Sequence, residues 1–374
     1  MKNPFVTKGY SGPEYFCDRV KETKDIIQLI SNENNMALIS PRRIGKTDLI
    51  HHCFAQPEIK DHYYTFFIDI YSTNSLTDFV DMLGNAIFEE LKPFGRKVWE
   101  QFFNALKSLQ QQISFDINGN PVWGIGVGNF NNPSTTLDEI FNYLRSADKP
   151  CIVAVDEFQQ ITQYADAAKV EAALRTHIQQ CPNATFLFAG SKRHLMSEIF
   201  MSPSRPFYQS VITMGLSPIS VDRYAEFAAR LFSLGRKKLA SDVVPDVYRR
   251  FSGVTSCLQR IMNVLFFTTP TGEACTVDMI DDAINYLLDL YTEHYQTFVG
   301  QMSEKQRGVF MAIAAEKRVK SISSGQFVRK YHLASPSSVI SAVRGLMEKD
   351  FITQENGEYF VYDQFFQLWL ERQK

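Results

Sequence analysis

Residues Cys151 to Val155 are an unbroken apolar run, Cys-Ile-Val-Ala-Val, and it ends on two carboxylates, Asp156 and Glu157. A strand with one wet face alternates apolar and polar side chains. An unbroken run is a strand buried on both faces, and it requires a covering layer on each side. Met36 to Ile39 and Ala184 to Ala189 also read as buried strands, the latter running into Gly190-Ser191, and Tyr63 to Tyr71 is an aromatic, β-branched strand ending at Asp69-Ile70-Tyr71. Between them, apolar residues recur at helical spacing over Val20 to Ile30, Lys46 to Phe54, Ser75 to Leu91, Leu137 to Arg145 and Ala167 to Gln180. Strands alternating with helices predict an α/β domain, a three-layer arrangement around a mostly parallel sheet. Residues 112 to 128 break the pattern. Ile113, Phe115 and Ile117 alternate, Asn118-Gly119-Asn120 makes a turn and Val122 to Val127 resumes, which predicts an inserted β-hairpin.

After Gly215 the strand pattern stops. Val221 to Leu234, Pro245 to Phe251, Cys257 to Phe267 and Val277 to Phe298 read as helices. From Ser303, helices at 304–315, 323–331 and 336–349 precede Phe351-Ile352-Thr353, an Asn356-Gly357 turn and Tyr359-Phe360-Val361, a winged-helix pattern. The expected organisation is an α/β domain over 1–215, a helical domain over 216–300 and a winged helix over 301–374. A chain of 374 residues exceeds what one core usually serves.

The first apolar run leads into Ser40-Pro41-Arg42-Arg43-Ile44-Gly45-Lys46-Thr47. This is a phosphate-binding loop of the pattern G-x-x-x-x-G-K-[ST], with Ser40 in place of the first glycine. Gly45 lets the backbone curl close to a phosphate with no Cβ in the way. The loop N–H groups and the N-terminus of the next helix then face the anion. Arg43, Ile44, Gly45, Lys46, Thr47 and Asp48 are therefore expected around a bound nucleotide, with Lys46 on the β- and γ-phosphates. Thr47 and Asp156 are expected at a Mg²⁺ ion, and Glu157 is expected to polarise an attacking water. A bare Gly-Lys-Thr is equally a loop glycine before a solvated lysine; the preceding strand, the following helix and the downstream Asp156-Glu157 are what favour the phosphate site. Residue logic does not separate ATP from GTP.

Net charge is −2, so no global field draws the chain to nucleic acid or to an anionic membrane. The six cysteines lack C-x-x-C or zinc spacing and fit buried thiols in a reducing cytoplasm. The N-terminus lacks the apolar core of a signal peptide, and no apolar run approaches the roughly 20 residues that span a bilayer.

Several segments together resemble the archaeal-type ATPases, AAA+-related P-loop proteins of archaea and bacteria close to the signal-transducing NTPases. They are Asn3-Pro4-Phe5, Phe16-Cys17-Asp18-Arg19, the Ser40–Thr47 loop, Asp156-Glu157-Phe158-Gln159, Ala189-Gly190-Ser191 and Asp363 to Leu370. The resemblance implies an AAA+-type α/β domain with a helical lid and a winged helix, ATP or ADP as ligand, and slow hydrolysis. It places Ser191 at the family's polar sensor position and Arg19 beside the nucleotide. Three departures accompany it. Asp18 stands where the family pattern F-x-G-R-x-x-E has glycine. The segment Ser252 to Gln259 lacks the family's proline and basic residue. No arginine stands out as a finger for a neighbouring subunit, and Arg205 is the nearest candidate, which leaves oligomerisation open.

Residues 303–374 hold eleven basic and eight acidic side chains, a mild excess. Ser335 is the expected N-cap and Pro336 the first residue of a recognition-type helix, from which Ser337 and Arg344 could touch a phosphate or a base edge. A DNA contact thus stays open, but so weak a basic face favours packing against a protein partner. Three activities remain at this level: an ATP-driven switch, a DNA-binding regulator tuned by nucleotide, and a nucleotide-bound scaffold with little catalysis.

Overall fold

The computed structural model describes residues 2–109, 114–115, 121–122 and 132–373. The chain divides into two compact units. One comprises residues 6–227 with 254–256, the other residues 1–5, 228–253 and 257–374.

In the first unit the elements run α1 (Val20–Ser31), β1 (Met36–Ile39), α2 (Lys46–Phe54), α3 (Pro57–Lys60), β2 (Tyr64–Asp69), α4 (Leu76–Leu91), α5 (Arg96–Ala105), β3 (Ser114–Phe115), β4 (Pro121–Val122), α6 (Pro133–Ser146), β5 (Cys151–Asp156), α7 (Ala167–Gln179), β6 (Ala184–Gly190), α8 (Arg193–Met201) and β7 (Ile212–Gly215). Five strands form one parallel sheet in the order β2-β5-β6-β1-β7. Period-2 alternation sends their side chains into two separate cores. Met36, Leu38, Ile152, Ala154, Leu187 and Ala189 join Ile26, Ile30, Leu49 and Ile50 of α1 and α2. Ala37, Ile39, Val153, Val155, Phe186 and Phe188 join the other core with Val80, Leu83, Ile140, Phe141, Leu174 and Ile199 of α4, α6, α7 and α8. This is the expected three-layer α/β arrangement.

One strand of this unit differs from expectation. β7 was not legible, because Ile-Thr-Met-Gly is short and three of its four residues are exposed. Edge pairing, not burial, makes it a strand. Of the expected hairpin, Ser114 pairs with Val122 and Phe115 with Pro121 in antiparallel register. Ile113, Ile117, the Asn118-Gly119-Asn120 turn and the run after Val122 lie outside the described residues.

The second unit continues α9 (Val221–Leu234, begun in the first unit), then β8 (Lys238–Leu239), α10 (Val243–Arg250), α11 (Thr255–Thr268), β9 (Ala274–Cys275), α12 (Met279–Gly300), α13 (Glu304–Glu316), α14 (Gly325–Lys330), α15 (Pro336–Glu348), β10 (Ile352–Glu355), β11 (Glu358–Val361) and α16 (Gln364–Arg372). The expectation that strands stop after Gly215 is corrected by β8 and β9, a two-residue parallel pair. Such strands are too short to leave a period in the sequence. The winged helix forms as expected. Ser303 and Gln306 make a capping box, Ser335 caps α15 ahead of Pro336, and β10 and β11 pair across a turn with positive φ at Asn356 and Gly357. Trp369 packs on Tyr295 and Phe366 and donates its indole N–H to Thr292 Oγ1 at 3.1 Å, joining α16 to α12. Among the described residues no helix is long and apolar enough to cross a membrane.

Candidate nucleotide site

The C-terminal ends of β1, β5 and β6 bring the expected residues to one edge of the sheet, where open parallel sheets bind ligands. β1 ends at Ile39 and the loop begins at Ser40, fully buried, whose N–H donates to the Gly190 carbonyl at 3.3 Å. Gly45 ends the loop at φ 91°, a conformation that costs glycine little. Lys46 opens α2 almost fully buried, its ammonium donating to the carbonyls of Ser40 and Pro41 at 3.3 Å each. Burial lowers its pKa, opposed by Asp156 and Glu157 and reinforced by Arg42. The loop's own carbonyls thus position the ammonium, and the phosphates of a nucleotide are the anions this loop geometry suits.

Asp156 ends β5, 4% exposed. Its Oδ2 accepts from Thr47 Oγ1 at 2.5 Å and its Oδ1 from the Glu157 N–H at 2.8 Å. A hydroxyl and a buried carboxylate meeting at the first turn of α2 suit a magnesium ion, which keeps most of its water and takes few protein oxygens. Among the described residues no group of three or more His, Cys, Asp or Glu could hold a metal by itself.

Glu157 has φ 53° and ψ 37°, left-handed for a non-glycine residue. Such backbone costs about 1–3 kcal/mol and persists only where its surroundings fix it. Phe158 supplies that anchor, fully buried against Phe188, Phe200 and Phe207. Burying such a ring contributes about 1.5–3 kcal/mol, enough to offset the strain. The Glu157 Oε2 atom accepts from Ser191 Oγ at 2.8 Å and from Gln159 Nε2. Gly190 leaves room for this: a Cβ there would lie 2.4 Å from both Gln159 Oε1 and Met196 Sδ.

Residues 16–259 match the model of an ATPase domain predominantly from Archaea. The chain belongs to that family. Residues 293–372 match a probable winged helix domain. No curated protein is significantly similar to this ATPase in sequence. Its fold is similar to that of the Walker-type ATPase PABY2304 of Pyrococcus abyssi, at 15% identity and TM-score 0.67 over 98% of this chain and 99% of that one. It is also similar to the Aeropyrum pernix ORC2 protein in ADPNP–ADP complexes, at 12% identity and TM-score 0.60 over 100% and 98% of the two chains. The Aeropyrum pernix ORC1 protein in complex with DNA follows at 9% identity and TM-score 0.55, over 99% and 96%. At such identities the likeness is one of fold.

The outlying expected residues of this ATPase fall in three places. Arg19 is 4% exposed, and its guanidinium donates to Glu22 Oε1 at 2.7 Å and to the Ile44 carbonyl at 3.3 Å. It ties α1 to the loop backbone. Asp18 and Arg19 both adopt left-handed φ, 56° and 61°, so the position where the family has glycine keeps glycine-like backbone. Arg43 also has positive φ, 68°, and its carbonyl accepts the Ser256 N–H at 3.0 Å, within the same unit. The Asp48 carboxyl, half-buried in α2, is pushed above its ordinary pKa by burial, with His51 opposing. Arg205 is not gathered into the site described above. Its guanidinium donates to the fully buried Glu171 at 2.5 Å and lies 3.5 Å from Glu198.

Two residues at the site went unmarked in the sequence. Asp69 ends β2 in register with Asp156, and Arg42 reaches Ser191 and Glu157. Asp69 could have been found by counting β2 residues to the sheet edge. Arg42 belongs to the phosphate-loop pattern, but nothing local to it announces that its side chain reaches Ser191 and Glu157.

Proposed function

We propose that this ATPase is a nucleotide-dependent molecular switch that binds Mg-ATP on the Ser40–Thr47 loop and hydrolyses it slowly. Arg43, Ile44, Gly45, Lys46, Thr47 and Asp48 hold the nucleotide, with Lys46 at the β- and γ-phosphates. Thr47 and Asp156 hold the magnesium ion, which when bound neutralises charge on the phosphate oxygens. Glu157 orients and deprotonates the attacking water, and Ser191 fixes the Glu157 carboxylate. The lid over 216–300 and the winged helix over 301–374 are the parts whose disposition the nucleotide changes, and their partner is a protein.

The observation that carries this reading is the shared oxygen of Glu157, held by Ser191 and Gln159 at the edge where Lys46 and the Thr47–Asp156 pair converge. Phosphoryl transfer asks a protein for placement and charge more than for covalent chemistry, and these residues supply placement.

Steady-state Mg-ATP hydrolysis by wild type, Glu157→Gln and Lys46→Ala tests it. Glu157→Gln should keep ATP while turnover falls by about 10²–10⁴, the usual worth of a general base. Lys46→Ala should lose ATP affinity. Wild-type turnover in Glu157→Gln would remove the base from the reading. Bound nucleotide without turnover in wild type would favour the scaffold.

A further inference from the structure

The phosphate loop carries two adjacent arginines, and the side chain of the first reaches the hydrolytic end of the site. Arg42 Nε donates to Ser191 Oγ at 3.0 Å, and its Nη2 lies 3.9 Å from Glu157 Oε2. Its guanidinium also lies over the Tyr71 ring, 5.4 Å from the centroid, just beyond the end of β2. Lys46 lies on the same loop, its ammonium donating to the Pro41 carbonyl at 3.3 Å, the peptide group that leads into Arg42. Two cations and a carboxylate thus border one small volume, the volume a terminal phosphate must enter if Lys46 binds it.

Ser191, Gln159 and Arg42 all address the same Glu157 oxygen. Arg42 is the cation among them, and its Nη2 stands 3.9 Å from that oxygen, an ion pair beyond hydrogen-bond range. A γ-phosphate beside Lys46 gives the guanidinium a stronger partner. It carries more charge than a carboxylate and accepts two parallel N–H bonds. It also gives Arg42 and Lys46 one anion to share.

We propose that Arg42 is a catalytic residue acting in cis: it lies against Glu157 and Ser191 in this structure and turns to the γ-phosphate oxygens of bound ATP. The move frees Glu157 for water and places a planar cation on charge that develops during transfer. Arg42 sits on the phosphate-binding loop itself, so the move needs side-chain rotation only. The step keeps its ordinary balance. A water oxygen bonds to the γ-phosphorus while the bond to the bridging oxygen breaks. That oxygen keeps the electron pair and leaves with ADP, and the water proton passes to Glu157. ADP offers no γ-oxygens, so Arg42 returns to Glu157 after phosphate leaves.

The inference rests on the reading that the loop binds Mg-ATP, and the experiment separates the two. The full chain is prepared as wild type, Arg42→Ala, Arg42→Lys and Lys46→Ala, each checked for an unchanged melting temperature. Dissociation constants for Mg-ATP and Mg-ADP are measured beside kcat. Arg42→Ala should bind ADP within roughly threefold of wild type, lose ATP-over-ADP preference by at least about tenfold, and lose about 10³ in kcat. Arg42→Lys should regain part of the ATP preference but little of kcat, for want of the planar fork. An Arg42→Ala protein with wild-type kcat and wild-type ATP preference overturns the proposal. A raised kcat overturns it too, leaving Arg42 as a brake on Glu157. Equal loss of ATP and ADP overturns it in favour of a role in loop shape. If wild-type turnover is too slow to measure, the ratio of the two affinities decides. Should Lys46→Ala bind nucleotide as well as wild type, the underlying reading fails, whatever Arg42 does.

Discussion

Thr47 Oγ1 lies 2.5 Å from Asp156 Oδ2, joining the first turn of α2 to the end of β5 across 109 residues of sequence. The hydroxyl proton points at the carboxylate, which leaves the hydroxyl lone pairs for a cation. The Asp156→Asn variant should therefore need about 10–100-fold more Mg²⁺ for half-maximal turnover. Titrating Mg²⁺ at fixed ATP checks this. An unshifted midpoint would remove Asp156 from the metal assignment.

Glu171 is fully buried, and Arg205 is its cation. Arg205→Ala should destabilise the chain by about 3–5 kcal/mol, the cost of leaving a buried charge unpaired, read from denaturant melts. Burial raises the Glu171 pKa, and Arg205 only partly opposes it. A folded pKa above the unfolded value means that the carboxyl's contribution is full below the unfolded pKa of about 4.3 and lost as pH rises through the folded one. Glu171→Gln should accordingly gain on wild type as pH rises above about 4.3. A difference that does not change with pH above that value would contradict it.

All six cysteines are buried. Burial pushes Cys53 and Cys151 up to about 12 and Cys181 to about 11. A disulfide reagent should label the native chain slowly, at a rate that follows unfolding, and should label all six thiols at once in denaturant. The folded thiol pKa values lie above the unfolded one, so stability should fall as pH rises above about 8.5. One fast native thiol would show that a cysteine opens independently of the fold.

On the outer face of α15, Ser337, Ile340, Ser341 and Arg344 are exposed, with a single charge among them. Ile340 is 51% exposed, which suits a protein contact better than a phosphate backbone. Random duplex DNA should not be retained at about 0.15 M salt. Salt-sensitive retention that disappears in Arg344→Ala would favour the DNA-binding regulator instead.

Local pattern settled much of this protein in the sequence alone. Unbroken apolar runs fix β1, β5 and β6 as buried strands, because only a strand covered on both faces tolerates them. The glycine, lysine and threonine after β1 and the carboxylates after β5 mark the site, since a loop that cradles phosphate needs that spacing. Ser335 and Pro336 announce the start of α15, because caps act within one turn. What the sequence left open depends on contacts between distant residues. β7 is a strand only because β1 offers it an edge. Asp69 joins the site only through its register with Asp156. Arg19 meets the Ile44 carbonyl across 25 residues, and Arg205 meets Glu171 across 34. Arg42 meets Ser191 across 149 residues. A long, flexible cation carries no period and no cap, and its partner is decided by which carboxylates the packed sheet and helices bring within its reach.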